Sequence, residues 1–97
     1  MDISEIKKEP GIWLTVSATV VQLWESKSDV IDQIGLLGDE SGVVKFVSFK
    51  KNDFPHLEVG KSYLLCDVVT DVYDDPVRGK MLSIKLNKNT DVAEWLT

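Results

Sequence analysis

Apolar and polar positions alternate with a period of two along much of the chain, the pattern of half-buried β-strands. In residues 12–25 the even positions Ile12, Leu14, Val16, Ala18 and Val20 are apolar, and Trp13, Thr15, Ser17 and Thr19 form a mostly polar, β-branched row. The alternation breaks across Val20-Val21-Gln22-Leu23-Trp24, which predicts a strongly curved or bulged strand. Residues 25–29 are polar and loop-like. Residues 30–39 predict a second strand, in which Gly35 and Gly38 mark a bend or a close backbone approach.

Asp39-Glu40-Ser41-Gly42 predicts a short hairpin, with Asp39 accepting backbone hydrogen bonds and Gly42 supplying a left-handed residue. The strand that follows sends Val44, Phe46 and Ser48 to one side, and Val43, Lys45, Val47 and Phe49 to the other. Residues 50–60 are a short connection with Phe54 and Leu57 as buried anchors and room for a half-turn of helix. It is too short for a crossover helix, so the sheet is expected to be antiparallel. Residues 61–73 form a fourth strand whose inward parity stays open, Leu64, Cys66 and Val68 competing with Tyr63 and Leu65. Asp74-Asp75-Pro76-Val77-Arg78-Gly79 is turn chemistry. In the fifth strand, residues 80–87, Leu82, Ile84 and Leu86 face inward, and Met81, Ser83 and Lys85 outward.

Ile3 and Ile6 share a face, so the lead-in (residues 1–11) is expected to pack one helical turn on the domain before Pro10-Gly11 stops it. The barrel proper is expected over residues 12–88, with a C-terminal tail or short helix at 89–97. The expected core includes Val16, Ala18, Val20, Leu36, Val44, Phe46, Leu82, Ile84 and Leu86. The result is an all-β class: a five-stranded antiparallel barrel of the OB-fold type, with a short helical turn between strands 3 and 4. Other small five-stranded barrels fit the same alternation.

With 97 residues, the chain is sized for one domain with a single core. Its lone cysteine, Cys66, excludes an internal disulfide framework and a multi-cysteine zinc site, and its apolar neighbours suit an inert thiol. A net charge of −5 argues against coating duplex DNA through a global positive field, but leaves room for a local basic groove. No apolar leader or membrane-length run is present, so an intracellular, cytoplasmic protein without a membrane partner is expected.

The row holding Lys45 and Phe49 pairs a cation with a ring, as a nucleic-acid backbone and an unstacked base require. Trp24 and Tyr73, near the ends of long strands, are further candidates for lining a groove, with core packing as the alternative. Lys27, Lys50, Lys51, Arg78, Lys80 and Lys85 are candidate phosphate contacts. His56 stands without clustered metal ligands, and no nucleophile–base set or phosphate-cradling loop is present, so neither cofactor nor catalysis is expected.

The runs from Trp13 to Trp24, Gly35-Leu-Leu-Gly-Asp-Glu-Ser-Gly42, Val44-Lys-Phe-Val-Ser-Phe49 and Leu57-Glu-Val-Gly-Lys-Ser-Tyr63 resemble an OB domain of archaeal replication protein A. They are similar also to the DNA-binding OB domains of the eukaryotic large subunit, and the likeness covers nearly the whole chain. The resemblance implies a non-enzymatic single-stranded DNA-binding module in replication, recombination and repair. It also implies that Lys45 and Phe49 occupy the family's basic and stacking positions. Thr19 stands where the family often has a basic residue, and Met81 or Ser83 where it often has a second aromatic. Those departures imply weaker binding, or another stacking partner such as Tyr73 or Trp24. A protein-assembly OB domain and an RNA-binding OB domain are the alternatives. Such domains resemble members of tandem arrays, so other OB domains of the same chain or partner subunits are further expected partners.

Overall fold

The computed structural model describes residues 2–52 and 54–94. Six strands build one sheet: β1 (Trp13–Trp24), β2 (Ile31–Asp39), β3 (Gly42–Phe49), β4 (Ser62–Asp75), β5 (Gly79–Lys85) and β6 (Asp91–Glu94). Their order is β1-β2-β3-β5-β4-β6, and an added β1–β4 pairing closes β1, β2, β3, β5 and β4 into a barrel. All pairings are antiparallel except β3–β5, which is parallel over three residue pairs. The expectation of a purely antiparallel sheet fails there, because β4 itself carries the chain back and no crossover helix is needed. A 3₁₀ turn, Lys50–Asn52, lies between β3 and β4, and another, Ile3–Glu5, accompanies the burial of Ile3 and Ile6 in the core.

Three bulges shape the barrel. β1 carries an extra residue between Val20 and Gln22, where the alternation broke. Next to it, a Cβ on Gly35 would stand 2.2 Å from the Gln22 carbonyl oxygen, so glycine is required at this crossing. β2 gains one residue between Ile31 and Gln33. In β4 the register shifts opposite Leu14 and Val16, and Asp67 adopts φ 60°. That left-handed residue resolves the open parity of β4: Tyr63 and Leu65 are buried before it, Val68 and Thr70 after it. The carbonyl of Asp67 accepts bonds from Asn87 Nδ2 at 3.0 Å and Thr90 Oγ1 at 2.9 Å, which hold the bulge.

Phe46, Leu37, Leu65, Ile84 and Leu86 are fully enclosed. Leu37, not Leu36, is the core residue of β2, because Leu36 pairs with Lys45 on the outer row. Adjacent leucines carry no parity signal. The 39–42 hairpin closes through Asp39 Oδ1, which accepts from the Ser41 amide at 2.7 Å and the Gly42 amide at 3.2 Å. Gly42 does not take the expected positive φ. Asp39 Oδ2 also accepts from the Ile3 amide at 2.9 Å, so one side chain closes the hairpin and anchors the lead-in. Residues 91–94 are strand β6 on β4 rather than tail or helix; the remainder of that expected segment, 95–97, lies outside the described residues.

Candidate functional site

Strand partners face the same side of a sheet, so the register fixes which side chains share the outer surface. Lys45, Ser83 and Asp71 form one row across β3, β5 and β4. Trp24, Ile34, Val47, Lys85 and Val69 form the next. Phe49 lies two residues beyond Val47, and Tyr73 pairs with Met81 at the other end. The sheet therefore brings Trp24, Lys45, Phe49, Tyr73 and Lys85 to one face. Val47 and Ser83 are buried although they belong to outer rows, and they form its floor.

The Lys45 ammonium stands 4.5 Å from the centroid of the Tyr73 ring, reaching across β5. This cation–π contact joins β3 to β4 across β5, where Ser83, the strand partner of Lys45, is buried. A cleft of about 270 Å3 opens beside the pair, lined by Lys8, Lys45, Tyr73, Arg78 and Met81 over an apolar wall that includes Ile3, Ile6 and Leu82. Arg78 reaches it from the β4–β5 turn, whose tip is set by Asp75 Oδ1 accepting from the Val77 and Arg78 amides at 2.8 and 2.9 Å. Those amides, Arg78 foremost, hold the Asp75 carboxyl below its ordinary pKa. A second cleft, about 610 Å3, is lined by Phe49, Lys51, Asn52, Val69, Lys85, Leu86, Asn87 and Lys88. Among the described residues neither wall contains a carboxylate, so cations cluster here on a chain whose net charge is negative.

Lys85 is not free. Its ammonium pairs with Asp71 Oδ2 at 2.5 Å, and Asp71 Oδ1 accepts from the Val72 amide at 2.9 Å. The bond from Lys85 is the largest cause holding the Asp71 carboxyl below its ordinary pKa. Lys50 and Lys51 are exposed just after Phe49, in the 3₁₀ turn. Lys27 is exposed in the β1–β2 loop and lines none of these clefts. Lys80 lies on the same row as Leu82 and Ile84, at the end of β5, so it points away from the Lys45 face. Met81 is half-buried at the cleft edge and Ser83 is sealed, so Ser83 offers no stacking surface. Thr19 lies on another shoulder, bonded through Oγ1 to Ser62 Oγ at 2.6 Å, with Asp39, Glu40, Val21 and Val43 around it.

Sequence reasoning missed Lys8, Lys88 and Asp71. The Ile3/Ile6 spacing was the available signal for Lys8, since burying both isoleucines brings the lead-in against the barrel. For Asp71 the signal was its parity with Tyr73. His56 Nε2 meets both Asp32 oxygens at 3.0 Å, and the described residues contain no group of three or more metal-binding side chains. No helix of the described residues is long and apolar enough to cross a membrane.

No protein-family model matches the chain, and no curated protein matches it. Among solved structures, it is similar to the OB domain of the Methanosarcina mazei protein MM0293, with TM-score 0.85 and 40% identity over 98% of this chain and 82% of that one. A murine DNA-binding protein bound with double-stranded DNA matches with TM-score 0.68 and 16% identity, over 97% of this chain and 46% of that one. A replication protein A heterotrimer bound to single-stranded DNA matches with TM-score 0.70 and 16% identity, over 100% of this chain and 25% of that one. At 16% identity these last two likenesses concern the fold alone.

Proposed function

This chain belongs to the family of OB domains, and from that premise we propose that it is a non-enzymatic single-stranded DNA-binding module. In this reading it acts like a replication protein A domain, in replication, recombination and repair. Phe49 and Trp24 stack unpaired bases, while Lys8, Lys45, Arg78, Lys51 and Lys88 meet phosphates. The observation that carries the reading is the pair of cation-bearing clefts, without a carboxylate in their walls among the described residues, on one face of a chain whose net charge is −5. Two distant neighbours of the same fold are held on single- and double-stranded DNA, so the fold does not choose the strand state. The preference for single strands rests on Trp24 and Phe49: a ring stacks on a base face, and duplex pairing hides those faces. Weak binding by one domain suits tandem OB domains or partner subunits, where linkage raises the effective concentration.

The test is a fluorescence titration at low salt with a single strand, its duplex and the matching RNA. The reading expects the single strand to bind more tightly than the duplex. Equal affinity for both counts against a stacking face. A protein-assembly role is the second reading, favoured by Val21 and Val43. Both are exposed, and they meet over Gly38, whose Cβ would stand 2.8 and 3.3 Å from their methyl carbons. Absence of all nucleic-acid binding, with self-association or subunit capture lost in Val43→Asp, would favour it.

A further inference from the structure

One charged side chain on this face has the wrong sign for a phosphate. Asp71 lies in the row with Lys45 and Ser83, and on the same side of β4 as Tyr73. Asp71 and Asp75 are the carboxylates on this parity of β4, and Asp75, at the strand end, is engaged by the Val77 and Arg78 amides of the turn. Both Asp71 oxygens are fixed, one by the Val72 amide and one by Lys85, yet its side chain remains 36% exposed. Each carboxylate oxygen has acceptor capacity beyond the bond it already receives. The depressed pKa keeps it ionised at neutral pH, so it presents acceptors and no donor.

We propose that Asp71 is a base-selecting residue of the single-strand site, accepting a hydrogen bond from an exocyclic amine and so favouring cytosine over uracil or thymine. The proposal rests on the binding function inferred above. The argument is one of exclusion followed by fit. A phosphate is repelled by this carboxylate, so a strand crossing the face between Tyr73 and Phe49 turns a base edge toward it. At the 4-position cytosine offers an amine, whereas uracil and thymine offer a carbonyl oxygen that meets like charge and keep only the N3–H donor one ring atom away. Lys85 fixes the carboxylate and neutralises part of its field, which lets a polyanion approach.

Oligo-dC and oligo-dU of 12 nucleotides serve as probes, because their bases differ only at N3 and the 4-position. The wild type is expected to bind oligo-dC roughly 10- to 150-fold more tightly, the range for one hydrogen bond to a charged acceptor. In Asp71→Asn the ratio is expected to fall within about twofold, since an amide donates as readily as it accepts. Lys85→Ala is expected to weaken both probes and preserve the dC preference. A purely structural role for Asp71 would leave the ratio unchanged while lowering the melting temperature. Equal binding of the two probes by the wild type, or a preference that survives Asp71→Asn, overturns the proposal and leaves the binding function standing. Failure of both probes to bind overturns both.

Discussion

Phe46 and Phe49 stand three positions apart on β3, and the pleat sends them to opposite sides of the sheet. Phe46 is fully enclosed between β2 and β5, paired with Gly35 and Ile84, whereas Phe49 is only half-buried and borders a cation-lined cleft. Phe46→Ala is therefore expected to cost about 3–5 kcal/mol of folding free energy through the cavity it leaves. Phe49→Ala is expected to weaken single-strand binding by roughly 1–3 kcal/mol, with a smaller effect on stability. Thermal melts and titrations on both variants check the pair; reversal of the two outcomes would mean that the faces are exchanged. Period two made this division legible in the sequence. It did not reveal that Lys45 is tethered over Tyr73, a contact between strands that are not neighbours in the sheet, or that Lys85 is held by Asp71, a diagonal contact that depends on the register of the β4–β5 hairpin. Side-chain type identified the cations; only the register shows which are available.

At the scale of elements, bulges decide what alternation leaves open. The break in β1 was readable because five consecutive residues lost their pattern. The bulge in β4 was not, because Leu64, Leu65, Cys66, Val68 and Val69 are apolar on both parities and only Asp67 interrupts them. A left-handed Asp is tolerated, a β-branched residue there is strained, and glycine carries no penalty. Asp67→Val is thus expected to lower stability by about 1–2 kcal/mol, and Asp67→Gly to leave it unchanged or slightly higher. Urea denaturation of the two variants checks this, and similar losses in both would remove the backbone explanation. β6 escaped the sequence for a different reason: Asp91-Val92-Ala93-Glu94 alternates too briefly to signal a strand, and its conformation comes from pairing with Tyr63–Cys66.

Across the whole molecule, three carboxylates hold structural positions: Asp39 at the hairpin and lead-in, Asp71 on the outer face and Asp75 at the β4–β5 turn. All three pKa values are lowered, by the Ser41 hydroxyl, the Lys85 ammonium and the Arg78 amide respectively. A lowered folded-state pKa means that the unfolded chain binds protons first, so stability falls as pH drops. Their contribution is complete above the unfolded value of about 3.9 and disappears as pH falls through the lowered folded values. Melting temperatures from pH 7 down to 2 are expected to stay level across the neutral range on account of these groups, then decline below about pH 4. Asp39→Asn is expected to flatten that decline; an unchanged acid limb would mean that the hairpin carboxylate contributes nothing.

Charge location, and not the chain total, sets how binding responds to salt. Each phosphate neutralised on a single strand contributes about −0.7 to the log–log slope. Lys45 retains its positive charge over the Tyr73 ring, since an aromatic face stabilises a cation without cancelling its charge. Lys85 is already paired, so its ammonium releases few counterions when DNA binds. Lys45→Ala is therefore expected to flatten the slope by up to about 0.7, and Lys85→Ala by clearly less. Asp71→Asn frees the Lys85 ammonium for a phosphate, so the slope should steepen and low-salt affinity rise, although the substitution removes a hydrogen-bonding carboxylate. Titrations of a single oligonucleotide from 20 to 200 mM salt, roughly the range over which such slopes are read, separate these outcomes. If Lys85→Ala flattens the slope as much as Lys45→Ala while Asp71→Asn changes nothing, the ion pair opens when DNA binds and the two lysines are equivalent. If all three slopes coincide with that of the wild type, the phosphates lie elsewhere and the face built by β3, β5 and β4 is not their path.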